Sequence, residues 1–387
     1  MSYKRDSLEI VRRKAGEYPV LAILGPRQSG KSTLCTIAFP DKKYLSLENP
    51  DARAFALKDP KGFLDQFPEG GIIDEAQYAP ELFSYIQTII DQKKKDGMFI
   101  LTGSQNFNLM EKISQSLAGR VSIHKLLPFS LHELKVNHHP LPSLNEMLFT
   151  GGYPRIYDKK LFPTDWLANY VETYLDRDVR LLKNIGDLST FHLFIKMCAS
   201  RSGQLLNLTS LGNDCGISHT TAKQWLSVLE TSFIVYLLQP HFKNFDKRLK
   251  KSPKLYFYDT GLLCYLLSIT KAEDLAHHSQ RGAIFETFVI GEMIKQRLHA
   301  SKPQNLYFWQ DKKTEVDCLI DHGDKLIPVE IKSAQTIAND FFNGLNYWNK
   351  ISSTSSQGNW LVYGGIEDQK RSAAQILGWQ SLDKLPL

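Results

Sequence analysis

The stretch LAILGPRQSGKSTLCTI, residues 21 to 37, constrains this chain more than any other. An unbroken apolar run, PVLAIL from Pro19 to Leu24, stops at a glycine, and a helix-like pattern begins after Gly-Lys-Ser. Such a run is expected of a strand buried on both faces of a parallel sheet. Gly25, Pro26, Arg27, Gln28, Ser29, Gly30, Lys31 and Ser32 then match GxxxxGK[ST] in the required setting of strand before and helix after. Glycines let the backbone close around phosphate oxygens, and the helix N-terminus adds partial positive charge. Lys31 is placed to contact the β- and γ-phosphates, Ser32 to ligate magnesium, and Thr33 to line the same loop.

Two further strands supply context. Gly71 to Glu75, GIIDE, is apolar and ends in two acids. Asp74 is expected to hold magnesium through water and Glu75 to polarise the attacking water. A strand from Met98 to Leu101 ends in Thr102-Gly103-Ser104, whose polar groups are expected beside a γ-phosphate in a sheet centred on the first strand. Arg120, in LAGR, can reach a phosphate of its own or a neighbouring subunit, or can cap a helix. The region has no Asn-Lys-x-Asp, which favours ATP over GTP.

Length bounds the rest. The 387 residues, with 42% hydrophobic and 23% charged, fit two or three folded domains. The net charge of +6 matters only where basic residues cluster. Cys35, Cys198, Cys215, Cys264 and Cys318 are scattered, which indicates neither a disulfide framework nor a zinc site. The N-terminal residues have no signal-peptide core and no apolar run nears the roughly 18 residues of a membrane span, so a cytoplasmic chain without a membrane partner is expected.

Residues 207 to 259 read as helix, tight turn, helix and hairpin, the grammar of a winged helix-turn-helix. Gly216 breaks the first helix and Ser218 caps the second. Ala222, Trp225, Leu226 and Leu229 form its buried stripe, leaving His219, Thr220 and Lys223 towards solvent. KNFDKRLKKSPK, from Lys243 to Lys254, carries six basic residues and one acid between two β-like runs. With DNA as partner, the second helix enters the major groove while Lys247, Arg248, Lys250 and Lys251 touch phosphates. Alternatively this module is a lid or a protein contact with a solvated basic hairpin.

The last third holds four residues at consistent facing. Glu286 lies on a helix with Val289, Ile290 and Met293 along its face. Period two puts Asp317 opposite Val316, Cys318 and Ile320, and puts Glu330 and Lys332 opposite Val329 and Ile331. A hairpin brings Asp317 beside Glu330 and Lys332. Carboxylates so close repel unless a divalent cation gathers them, and magnesium or manganese suits oxygen ligands. Lys332 is then placed to orient or activate water against a phosphodiester. Asp, twelve residues, Glu-x-Lys is the spacing of the PD-(D/E)xK nucleases.

In this order the parts resemble a family of prokaryotic AAA-like P-loop ATPases whose C-terminal domain of unknown function is related to the PD-(D/E)xK restriction-endonuclease fold. The resemblance covers nearly the whole chain. It is carried by GPRQSGKST, IIDEAQ, LTGSQ, SLAGR, GGYP at 151 to 154, YLDRDV at 174 to 179, FYDTGL at 256 to 261, RGAIFETFV, FWQDKKTEVD and VEIK. It implies ATP as nucleotide, with Lys31, Ser32, Asp74 and Glu75 in the roles given. Gly152-Tyr153-Pro154 is also similar to the Gly-x-Pro motif of signal-transducing ATPases, whose proline neighbourhood senses nucleotide state. Gln310 stands where the family commonly has arginine.

The expected architecture is therefore α/β: a P-loop domain over 1–150, a helical lid and winged helix over 151–265, and a small mixed nuclease-like domain over 266–387. The expected function is an ATPase acting on DNA through its tail, as a possible homo-oligomer if an arginine acts in trans. The alternative is a signalling or scaffold switch whose tail binds without cutting. A small-metabolite kinase leaves the tail without a role.

Overall fold

Short apolar runs buried on both faces build the first sheet. The computed structural model describes residues 3–104, 113, 115–139, 143–175, 187–241, 252–311, 314–352 and 358–387. They divide into two compact units, one of residues 1–129 with 231–233 and 298–302, the other of 130–230, 234–297 and 303–387. The longest stretch of the first unit ends at Phe129.

In the first unit β1 (Val20–Leu24), β2 (Tyr44–Ser46), β3 (Gly71–Asp74), β4 (Phe99–Gly103) and β5 (Val121–Lys125) form a parallel sheet ordered β2-β3-β4-β1-β5. The phosphate-loop strand is flanked on both sides, but the central strand is β4, which corrects the expected centring on β1. Every β1 residue is buried because both faces are covered. Val20, Ala22 and Leu24 pack with Phe63, Phe83 and Ile86, whereas Leu21 and Ile23 pack with Val11, Leu34 and Cys35. The strand register aligns Leu24 with Gly103 and Lys125, so the loop after β1 and the ends of β3 and β4 share one edge. Open parallel sheets bind ligands at that carboxyl edge.

The second unit holds a mixed sheet of β6 (Val235–Pro240), β7 (Lys254–Phe257), β8 (Leu306–Gln310), β9 (Glu315–Asp321), β10 (Leu326–Lys332), β11 (Trp360–Tyr363), β12 (Gln369–Lys370) and β13 (Gln375–Gly378). Its order is β12-β13-β11-β10-β9-β8-β6-β7. The hairpin of β6 and β7 joins this sheet because β6 pairs with β8 in parallel. Helix Asn343–Ser352 covers one face, burying Leu345 and Trp348.

Before that hairpin, helix Leu208–Asp214, a turn at Gly216 with φ 67° and helix His219–Thr231 follow the anticipated order. Ser218 Oγ accepts from the Thr221 amide at 3.1 Å, the expected cap. Trp225 packs edge-on to Phe191 and Phe194 of helix Leu188–Ser200. Among the described residues no helix is long and apolar enough to cross a membrane. All five cysteines are buried and free.

Candidate functional site

The loop after β1 is wound tightly enough to need Gly30 at φ 92°, a left-handed conformation that costs an L side chain about 1–2 kcal/mol. Arg5, buried beneath it, donates to Ser29 O at 2.7 Å and Leu127 O at 2.8 Å, fixing the loop against the chain leaving β5. Lys31 is buried and donates to Gly25 O at 3.0 Å and Pro26 O at 2.8 Å. Burial lowers its pKa, opposed by Glu75 and Asp74. The Arg27 guanidinium is buried 3.6 Å from Glu48, Gln28 is held at φ 62°, and Thr33 is exposed.

Asp74 gathers hydroxyls. Ser32 Oγ donates to Oδ1 at 2.9 Å, Tyr44 OH donates to Oδ2 at 2.8 Å and Ser46 Oγ to Oδ2 at 3.2 Å. Thr102 Oγ1 donates to Oδ1 and accepts the Glu75 amide at 3.2 Å. Glu75 itself sits at φ 54°, and its carboxylate accepts from the Gln77 amide, which reaches Ser104 Oγ at 3.2 Å. Ser32, Asp74, Glu75, Thr102 and Ser104 thus meet at one edge, as anticipated. Arg5, Tyr44, Ser46 and Gln77 were missed.

The donor set fits a nucleotide with its metal ion. Ser29 Oγ is fully buried without a partner, and the helix Lys31–Ala38 starts without a side-chain cap, so loop donors remain for phosphate oxygens. Hydroxyl and carboxylate oxygens of Ser32 and Asp74 suit a hard, hydrated cation.

Arg120 stands apart. It precedes Val121, which pairs with Val20 at the opposite end of β1 from the loop, about 13 Å away at ~3.3 Å per residue. Its guanidinium is bound by Asp91 at 2.6 Å. The reading that Arg120 reaches a phosphate of its own subunit is corrected: strand length forbids it.

The second unit carries a denser cluster. The Asp317 carboxylate accepts the Ile331 amide at 2.7 Å and lies 3.5 Å from Lys332 Nζ, which also donates to Glu330 at 2.5 Å. Glu286 accepts from Tyr256 OH and lies 3.3 Å from Lys254 Nζ. Lys254 also pairs with Glu315. Oxygens of Glu286, Glu315 and Asp317 lie within 4.8 Å of one another. Burial, with Asp317, pushes Glu286 up to about 7 against the pull of Lys254. Burial and Asp317 likewise push Glu330 up to about 8 against Lys332. Burial pulls the Lys332 ammonium down, but Asp317 and Glu330 outweigh it and raise it.

The four predicted residues Glu286, Asp317, Glu330 and Lys332 are thereby brought together. Glu315 was missed although period two places it on the face of Asp317. Lys254 was counted in the basic stretch, yet it is 3% exposed and belongs to this cluster. Glu330 Oε2 is buried without a partner, which together with the all-oxygen donors fits a divalent cation.

His219, Thr220 and Lys223 are exposed, on the side of the helix away from its buried stripe. Lys247, Arg248, Lys250 and Lys251 lie outside the described residues, as does most of YLDRDV. Two quoted motifs meet in the second unit: Asp259 accepts the Gly152 amide at 2.7 Å and caps helix Thr260–Leu266 through the Leu262 amide at 3.0 Å.

Comparison with known proteins matches residues 17–135 to a family model described as AAA domain. Residues 141–273 match a domain of unknown function, DUF8612, and 281–382 another, DUF4143. The chain is 30% identical over 339 residues to Uncharacterized protein Rv2008c of Mycobacterium tuberculosis, covering 86% of this chain and 74% of the relative. Uncharacterized protein Mb2031c of Mycobacterium bovis matches equally. Among solved structures, the Walker-type ATPase PABY2304 of Pyrococcus abyssi is similar at TM-score 0.44 and 13% identity, over 69% of this chain and 96% of that one. AMPPCP-bound DnaA from Aquifex aeolicus follows at TM-score 0.29 and 14% identity, over 58% and 86%. At these scores neither likeness carries an argument.

Proposed function

The chain belongs to the family of the mycobacterial proteins Rv2008c and Mb2031c and carries an AAA P-loop ATPase domain; on that footing we propose that it binds and hydrolyses ATP with Mg2+ and acts on DNA through its tail. The observation that carries the ATPase half is the Ser32–Asp74 bond beside a buried Lys31. When bound, the nucleotide supplies the scissile anhydride and the metal ion neutralises phosphate charge. Lys31 exchanges two loop carbonyls for phosphate oxygens. Ser32 and Asp74 hold the ion, and Glu75, steadied by Gln77, orients the attacking water. Thr102 and Ser104 face the γ-phosphate end.

For the tail, the convergence of Glu286, Asp317, Glu330 and Lys332 supports a metal-dependent nuclease-like site, with Mg2+ or Mn2+ supplying Lewis acidity when bound. Lys332, raised above the ordinary lysine range, acts as an ammonium that orients water and stabilises phosphate charge. A winged helix of residues 207–259 holds the DNA, with His219, Thr220 and Lys223 at base edges and the four hairpin cations on phosphates.

Binding to duplex DNA measured against salt tests this reading. Replacing Lys247, Arg248, Lys250 and Lys251 by alanine is expected to weaken binding and flatten the slope of log K against log[salt] by about three to four, near 0.9 per lost phosphate contact. Absence of salt-dependent binding, with ATP turnover intact, returns the tail to the role of a partner-binding switch.

A further inference from the structure

The acidic cluster holds two lysines of unlike character. Lys332 rises from the same strand as Glu330 and is 33% exposed at its side chain. Lys254 comes from β7, is 4% exposed at its side chain, pairs with Glu286 and Glu315, and lies 5.5 Å from the centroid of the Phe308 ring. The oxygens of Glu286, Glu315 and Asp317 converge closely enough for one cation to touch all three, and the ammonium of Lys254 already holds two of these carboxylates. Among the described residues, fully ionised Glu286, Glu315, Asp317 and Glu330 face the ammonium groups of Lys254 and Lys332, which leaves two negative charges. Buried charge without compensation is costly.

We propose that Lys254 is an internal competitor for the divalent cation of the tail, so that a metal ion enters only by displacing this ammonium. The inference rests on the metal-site reading given above and adds its regulation. An ion bound to Glu286 and Glu315 stands beside an ammonium that pairs with the same two carboxylates, and like charges so close repel in a buried site. The two occupants therefore compete for these carboxylates. Lys254 sits at the edge of the hairpin ladder: it is the first residue of β7 and pairs with Leu238, while its strand also bridges Leu205 and bonds to Gly203 and Gln204 through Leu255. It ends the basic stretch assigned to DNA, so a contact there bears on the first pair of the hairpin.

The test is a Mn2+ titration of the full-length, nucleotide-free protein, with free ion followed by electron paramagnetic resonance. Lys254→Met is expected to bind Mn2+ at least tenfold more tightly than the native protein, Lys254→Arg to stay near native, and Asp317→Asn to remove the gain. Equal affinity in Lys254→Met, with binding still abolished by Asp317→Asn, overturns the competitor role while the metal site stands. Titrations that ignore Asp317→Asn in every background overturn both. Should Lys254→Met fail to fold, Glu315→Gln is compared with Lys254→Met/Glu315→Gln, a pair that keeps two net negative charges once the lysine is gone. The double variant must bind more tightly than the single, and no difference rejects the proposal.

Discussion

Ser32 Oγ donates to Asp74 Oδ1 at 2.9 Å, joining the phosphate-loop helix to the end of β3 across 42 residues of chain. That bond closes the ring of Tyr44, Ser46 and Thr102 hydroxyls around one carboxylate, next to the residue best placed to act on water. Glu75→Gln keeps the size and hydrogen bonding of that residue but removes its charge. ATP affinity should hold while turnover falls by about a hundredfold or more, the range typical of a lost general base. Phosphate release under saturating ATP measures it, and native turnover in the variant shows that Glu75 is not the base.

Lys31→Met removes an ammonium that burial already disfavours. The nucleotide-free variant should melt at or above the native temperature. Native protein at ATP a hundred times its Kd gains about 2.7 kcal/mol from ligand linkage, and the variant should gain none. Thermal unfolding with and without ATP reads both effects, and a native-sized gain in the variant removes Lys31 from the phosphate site.

Asp259 ties the Gly152 amide to the start of helix Thr260–Leu266, and it is 3% exposed. Asp259→Ala leaves two buried amides without their acceptor and should cost about 2–6 kcal/mol, at ~1–3 for each. Gly151, at φ 69°, has no room for a methyl group, because a Cβ there meets Asp259 Oδ1 at 2.2 Å. Gly151→Ala should therefore lose stability through the same contact. Urea unfolding measures both, with losses under 0.5 kcal/mol contradicting the account.

Glu286 at about 7 and Glu330 at about 8 hold protons that an unfolded carboxylate releases near 4.3. Between those values the folded chain binds more protons, so metal-free stability falls as pH rises from about 4.3 to 8 and levels beyond. Glu286→Gln/Glu330→Gln should flatten that decline. Mn2+ affinity of the native protein should rise over pH 6 to 8, since ligand oxygens must first lose their protons. Unfolding midpoints and Mn2+ titrations across pH check the pair, and a pH-independent Mn2+ affinity speaks against these ligands.

Local pattern made part of this legible. The glycine-lysine-serine loop and the acids ending β3 announce themselves because strand, turn and helix are contiguous in the chain. Period two found Asp317, Glu330 and Lys332, and applied to Glu315 it would have added that residue too. Tyr44 and Ser46 were hidden because β2 reaches Asp74 only through sheet order, which no local signal encodes. Lys254 was misread because a run of lysines looks solvated until pairing of β7 buries its last member. The join of β6 to β8, likewise, is a pairing of strands more than sixty residues apart.

Supercoiled plasmid incubated with the protein and Mn2+ or Mg2+, with and without ATP, beside Glu330→Ala and Asp317→Asn, tests the account most directly. Metal-dependent nicking by the native protein, lost in both variants while ATP turnover persists, is the predicted result. Intact plasmid under every condition with ATP hydrolysis present, or equal nicking by the variants, would contradict it.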